Sequence, residues 1–526
     1  MISLTDYGST IGVDKGPNLL SIYKDPDSPG TAPYKSHQIG LPQLPEPGTP
    51  SQLQILSQWI RLCDSSHTTC VPKKQRFMPT RLLDTQTTLR LVESKGKYSS
   101  RYVALSHCWG QLGEGQMFRA FHRNMNQLKA GIDIETLPAT FRDAVTITRG
   151  LGVQYLWIDS ICIIQDDSSD WETESHKMED VFSCAYFTIS ASSSPSSLAG
   201  FLTPRTPRTS VHLSLEGSET VYVTNNIDDF DQDVEQSVLN SRGWVFQERA
   251  LSRRTLYFTS GQVYWECGAG VYCETLASLK NSRAAFLGDP HFPSVALKYH
   301  RGGKQVLIQD LYERYSRLSF TYPTDRAVAI LGLQQRLGRA FRTKAAYGLL
   351  EAYVARGLLW MRDQKHDLKK IVPAVGKPIP SWSWFSQEGS IRYMKLEFER
   401  VSWSDNVDFQ SPFRTLSNEE SSHLSRDGQR PGTNHMVLRG LARKMIFPTL
   451  TTQLEGLVFD QCCYLDPKFL RVVIIGRDKI QDGNSVHGLV IQPTEHHLDN
   501  LNYSRVGVAS LRGSQVEADG EWVNVR

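Results

Sequence analysis

Three groups of residues in this chain could do chemistry. Ser106-His107-Cys108 stands where a short apolar run, Tyr102 to Ser106, comes to an end. A cysteine beside a histidine can supply a thiolate nucleophile, but neighbours on an extended chain point to opposite faces, so this dyad is not expected to close. The segment suits ligand binding better. Ser106 and the turn Gly110 to Gly115 offer donors to a phosphate-bearing ligand, with Arg119 or Arg123 near, although the glycines form no G-x-G-x-x-G fingerprint. Asp159 interrupts an apolar stretch, where a carboxylate must be paired, hydrogen-bonded or neutral; its expected task is to hold the loop after the first strand. The third group is Cys63-x3-His67-x2-Cys70. Its ligand types suit zinc, yet a structural site normally has four, so the expectation is a compact turn with buried thiols and no metal.

Alternating strands and helices would position these groups. Tyr102 to Ser106 reads as a strand, Thr140-x-x-Asp143 resembles a capping box, and Phe141, Ala144, Val145, Thr148 and Leu151 share the face of the helix that follows. Tyr155 to Ile164 is a near-continuous apolar run suited to a central parallel strand. Ser169-x-x-Glu172 can cap one more helix, with a stripe of Trp171, Ser175, Met178, Phe182 and Ala185, before a strand at Tyr186 to Ser190. This β-α-β-α-β series predicts a mainly parallel sheet flanked by helices, with ligand sites beyond the C-terminal strand ends.

Outside that core, residues 25 to 50 are rich in Pro, Gly and Ser and read as a leader or loop, and residues 51 to 62 as a short docking helix. Residues 302 to 365 read as helical, 411 to 435 as a mobile loop, and the chain from about 436 as β-rich. The expected division is a 1–95 extension, a 96–275 core, a mainly helical 276–410 region and a 411–526 loop with a β-rich end. At 526 residues the chain exceeds the roughly 250 to 300 at which single cores stop growing.

Lys and Arg number 58 against 55 Asp and Glu, a formal charge of +3, which gives no general attraction to nucleic acid. Nine scattered cysteines do not make a secreted disulfide framework, and no run of about 18 apolar residues suggests a membrane span. A cytoplasmic or nuclear location is expected.

Three blocks carry a family resemblance: Tyr102-Val-Ala-Leu-Ser-His-Cys-Trp-Gly110; Tyr155-Leu-Trp-Ile-Asp-Ser-Ile-Cys-Ile-Ile-Gln165; and Arg242-Gly-Trp-Val-Phe-Gln-Glu-Arg249. Together they resemble the defining blocks of the fungal heterokaryon-incompatibility (HET) domain. The Cys63, His67, Cys70 cluster with Pro79 to Asp84 resembles its usual lead-in, and Pro380-Ser-Trp-Ser-Trp384 a segment common after it; Trp382 and Trp384 are expected to pack against the HET core. The resemblance implies an effector of non-self recognition or programmed cell death, acting with an unknown protein partner or by self-association.

HET domains are more remotely similar to the Toll/interleukin-1 receptor (TIR) fold, some of whose members cleave NAD with a glutamate four positions after a tryptophan. Trp244-Val-Phe-Gln-Glu248 has that spacing, which places both side chains on one helical face. Glu248 is accordingly the catalytic candidate. Ser106, His107, Trp109, Gly110, Asp159 and Trp244 are the candidates for binding a nucleotide substrate, NAD, and no cofactor is implied. Three alternatives stay open: Glu248 pairs with Arg242, Arg249 or Arg253 and only fastens its helix; the Trp244 to Arg249 helix is an interaction surface; or a biosynthetic enzyme has taken over the scaffold.

Overall fold

The computed structural model describes residues 2–5, 10–13, 18–24, 38–70, 77–94, 100–215, 219–279, 292–294, 296–299, 303–363, 367–372, 379–414, 436–446, 456–461, 465–479, 485–494 and 502–526. The chain forms two compact units, Met1–Tyr299 and His300–Arg526.

The first unit is organised by a nine-stranded sheet. Its strands are β1 (Arg81–Asp84), β2 (Arg90–Glu93), β3 (Tyr102–Ser106), β4 (Tyr155–Trp157), β5 (Phe187–Ser190), β6 (Arg254–Phe258), β7 (Val263–Cys267), β8 (Gly270–Cys273) and β9 (Ser278–Leu279). Their order across the sheet is β9-β8-β7-β6-β5-β3-β4-β1-β2. The α/β class holds, and three parallel strands lie between residues 98 and 190 as expected. The sheet as a whole is mixed rather than mainly parallel. Its centre, β6-β5-β3-β4, is parallel, whereas β1 and β2 at one edge and β7, β8 and β9 at the other pair antiparallel. In chain order the parallel strands lie second, first, third, fourth. The chain must therefore reverse its direction of travel between β3 and β5, and right-handed crossovers then put the connecting helices on opposite faces. Every residue of β3, β5 and β6 is buried, and β3 accordingly opens on an unbroken apolar run, Tyr102 to Leu105, rather than an alternation.

The helices of this unit include α1 (Pro50–Ser66), α2 (Ala139–Gly150), α3 (Asp159–Cys162), α4 (Ser168–Ser175), α5 (Met178–Cys184) and α6 (Gly243–Leu251). The docking helix forms and buries Leu56, Trp59, Ile60 and Cys63. It crosses α2 closely enough that a Cβ on Gly150 would meet Leu53 Cδ1 at 2.6 Å. Residues 25–37, the first half of the expected leader or loop, lie outside the described residues.

Several local expectations are corrected. The strand expected over Tyr155 to Ile164 stops at Trp157, because Asp159 accepts the Ser160 amide on its side chain at 2.7 Å and opens the single turn of α3. Thr140 and Asp143 form no capping box; Pro138 is the N-cap, and Asp143 instead accepts the amides of Phe201 and Leu202 at 2.6 and 2.9 Å. The cap of α4 is Asp167, not Ser169, and the expected single helix is broken into α4 and α5 at His176 and Lys177. A second, mostly antiparallel sheet pairs Asn18–Lys24 with Glu219–Asn225, which no sequence pattern had indicated.

The second unit contains helices Lys304–Ser316, Leu331–Phe341 and Val354–Leu358 and an eight-stranded sheet from Val401–Trp403 to Val516–Val525. Trp382 and Trp384 are fully buried core residues of this unit, Trp384 beside Tyr312 and Phe385 at the start of a short 3-10 turn. Residues 415–435, most of the expected mobile loop, lie outside the described residues. No helix among the described residues is long and apolar enough to cross a membrane.

Candidate functional site

The end of β3 carries the chemistry. Ser106 is the last strand residue and is buried; its Oγ donates a 2.5 Å hydrogen bond to Glu248 Oε2, which arrives from α6. Glu248 is held there because α6 is buried at every residue but Trp244, its second. Trp244 is half-buried and meets Trp171 edge to face with centroids 6.3 Å apart. Arg249, the next residue after Glu248, turns away to Glu235 at 2.7 Å and Glu266 at 3.8 Å. Arg242 donates to the His107 carbonyl at 3.1 Å. The helix-fastening ion pair considered for Glu248 is thus made by its neighbour.

Asp159 opens α3 beside this pair. Its Oδ2 accepts the Trp109 indole N–H at 2.8 Å, and its Oδ1 lies 3.9 Å from His107 Nδ1. Asp159 does hold the loop after the first strand, through Trp109. The Gly110 that follows adopts φ +88°, and a Cβ there would meet Ser196 Cβ at 2.3 Å, so glycine is required by both conformation and space. Its role is to let the Ser194 to Gly200 loop close over the strand end.

Electrostatics set opposite protonation states on the two titratable neighbours. Burial pushes the Glu248 carboxyl up to about 8; the Asp159 charge adds to this, while the Ser106 hydrogen bond and Arg242 oppose it. Burial likewise pushes His107 down to about 4, against the pull of Asp159. At neutral pH the resting site therefore holds a protonated glutamic acid and a neutral imidazole.

His107 packs edge-on against Phe141, 5.0 Å between centroids, while Cys108 clusters with Leu239 and Val245. Burial raises the Cys108 thiol above its ordinary value, which disfavours the thiolate that a Cys-His dyad would need. A small cavity, 10 Å³ and so room for about one water molecule, is lined by His107, Trp109, Arg119, Phe141, Ser160 and Ser197 among others. Among the described residues, His107 Nε2, Arg119 Nε and Ser160 Oγ find no hydrogen-bond partner although buried. Polar atoms in that state mark a place where a polar ligand gains more than it loses. A roomier cavity of 350 Å³ lies in the second unit, walled by Ser316, Arg317, Arg326 and Glu388 among others.

The matching of known families bears on this same segment: residues 102–248 match the model described as Heterokaryon incompatibility protein (HET). These residues are a HET domain. The searches of curated proteins and of solved structures gave no match. The HET domain begins at the first residue of β3 and ends at Glu248, so both partners of the Ser106–Glu248 bond belong to it.

Of the candidates, the structure brings together Ser106 with Glu248 and Trp109 with Asp159, and sets His107 beside Asp159. Trp244 sits one helical turn before Glu248. Two residues of the HET site were missed as site residues: Arg242, whose charge acts on Glu248, and Ser160. Both stood inside the family-like blocks, but nothing in their spacing signalled that they face the strand end.

Proposed function

We propose that the HET domain gives the chain a heterokaryon-incompatibility-related role. We propose, more narrowly, that it is an effector of fungal non-self recognition or cell death whose strand-end site hydrolyses NAD, with Glu248 as the catalytic residue. The observation that carries this reading is the Ser106–Glu248 hydrogen bond at the C-terminal end of a central parallel strand, beside the point where strand order reverses. Open α/β sheets bind nucleotides at that location, and the Trp244-x3-Glu248 spacing resembles that of NAD-cleaving TIR enzymes.

The chemistry balances with these groups. The bond between ribose C1′ and the nicotinamide nitrogen breaks, its electron pair leaves with neutral nicotinamide, and the ribosyl cation is captured by water. The water proton passes to a carboxylate or to solvent, leaving ADP-ribose. A Glu248 carboxylate stabilises the developing cation, and burial makes that interaction stronger than it would be in water. The cationic nicotinamide ring favours loss of the Glu248 proton on binding, so the substrate itself generates the active form. His107 Nε2, Ser160 Oγ and Arg119 Nε supply polar contacts for ribose or phosphate. The narrow cavity makes the described conformation a closed, resting one that must open to admit a nucleotide.

The rival reading of α6 as a partner-binding surface is disfavoured by its burial, which leaves only Trp244 accessible. The test is incubation of the purified full chain with NAD, following nicotinamide release, beside Glu248→Gln. Release by the wild type and its loss in a folded variant support the reading. No release by the wild type, alone or with a triggering partner, overturns it.

A further inference from the structure

The cysteine and histidine cluster ahead of the HET domain acquires a fourth member from far along the chain. Cys63 lies in the last turns of α1, and His67 and Cys70 follow in the turn after it, where the His67 amide donates to the Cys63 carbonyl and the Cys70 amide to that of His67. This tight winding turns all three side chains to one side. Cys267, the last residue of β7, meets them there, and the four ligand atoms lie within 4.8 Å of one another. We propose that Cys63, His67, Cys70 and Cys267 bind one structural zinc ion.

The geometry supports a tetrahedral site. With zinc–sulfur and zinc–nitrogen bonds of about 2.3 and 2.0 Å, a tetrahedron has sulfur–nitrogen edges of about 3.5 Å and sulfur–sulfur edges of about 3.8 Å. Cys267 Sγ and His67 Nδ1 are already 3.5 Å apart. Four protein ligands of the Cys3His type close the coordination sphere, which is the pattern of a structural rather than a catalytic zinc, and the thiolate-rich set disfavours magnesium or calcium.

The surroundings fit as well. Backbone amides of Gly268 and Ala269, in the turn between β7 and β8, donate to the sulfurs of Cys70 and Cys267, the kind of outer-shell support that ligating thiolates receive. Three thiolates and a dication leave a net charge of −1. The buried Arg254 guanidinium acts electrostatically on Cys63, and besides its 2.8 Å bond to Asp64 its Nε and Nη2 have no hydrogen-bond partner among the described residues. That cation offsets the residual charge of a zinc-loaded cluster. The three buried thiols are free, and an odd number cannot all be satisfied by disulfides.

The ion would act as a clasp. Cys63, His67 and Cys70 precede the HET domain and Cys267 follows it, so one ion ties α1 to the β7–β8 turn across 204 residues of chain (267 − 63). Closing so long a loop removes much unfolded-state entropy, and metal binding here is folding free energy.

The full chain, purified reduced and without chelator, is assayed for metals by plasma mass spectrometry and refilled with cobalt(II) for absorption spectroscopy. One zinc per chain and a tetrahedral thiolate–cobalt spectrum are expected. Cys267→Ser should lose most of the metal, and chelation should lower the melting temperature reversibly. Should Cys267→Ser fail to fold, His67→Cys decides: it must keep one metal per chain while its cobalt charge-transfer band gains a thiolate contribution. The proposal is overturned by a wild type that neither contains nor takes up zinc or cobalt, by another metal at full occupancy, by a disulfide among the three cysteines, or by His67→Cys leaving the cobalt spectrum unchanged. None of these outcomes depends on NAD cleavage.

Discussion

Ser106 Oγ and Glu248 Oε2 lie 2.5 Å apart although 142 positions separate them in the chain. The serine belongs to the central strand and the glutamate to the helix just before β6, so their bond requires both to be seated. Because this bond holds the Glu248 pKa down against burial, Ser106→Ala should raise it beyond about 8. If the Glu248 carboxylate drives NAD cleavage, the pH–rate profile rises with pH and its midpoint moves to more alkaline pH in the variant. An unmoved midpoint would show that Ser106 does not tune Glu248.

Glu248→Gln separates catalysis from stability. Losing a well-placed electrostatic group costs on the order of a hundredfold or more in rate, so turnover should fall at least that far. Stability should move the other way. Wild-type Glu248 goes from its ordinary 4.5 to about 8 on folding, so its contribution is present below 4.5 and is lost as pH rises through about 8. The slope is ~1.4 kcal/mol per pH unit. Gln carries no charge, so denaturant unfolding should show the variant gaining on the wild type across that window. A helix-fastening salt bridge predicts the reverse.

His107 sets the acid limb. Its pKa falls from 6.5 to about 4 on folding, so its contribution is present above 6.5 and is lost as pH falls through about 4. His107→Gln should flatten the loss of stability in that range, read as melting temperature against pH. A variant curve parallel to the wild type would mean that the imidazole is not held neutral by burial.

Gly110→Ala tests the loop closure. A side chain at φ +88° and 2.3 Å from Ser196 Cβ must displace the loop or the strand end. The expected loss is ~1–3 kcal/mol of stability, with faster hydrogen exchange at Ser196 and Ser197. A neutral substitution would show the loop to be loosely seated.

Much was legible in the sequence because it depends on local pattern. Tyr102 to Leu105 is apolar throughout, and a strand buried on both faces needs that composition. The face of α2 and its stop at Gly150 followed from the 3.6-residue period and a helix-breaking residue. Asp159 stood out as a polar residue in an apolar run, and its bond to Trp109 accounts for its tolerance there. Glu248 and Ser106 were named as candidates from family-like blocks; that the two touch was not readable from either block.

What the tertiary structure alone decided were the long-range meetings. Cys63, His67 and Cys70 stood out by their spacing, where the expectation was a turn with buried thiols and no metal, but Cys267, which joins them, comes from a strand that pairs antiparallel at the sheet's far side, and no local period announces it. The protonation of Glu248 was equally invisible, since a carboxyl's pKa depends on how much water the surrounding fold excludes and which charges it brings near. Local propensity acts over a few residues. Burial, metal geometry and paired charges act through space, between residues that only the folded chain brings together.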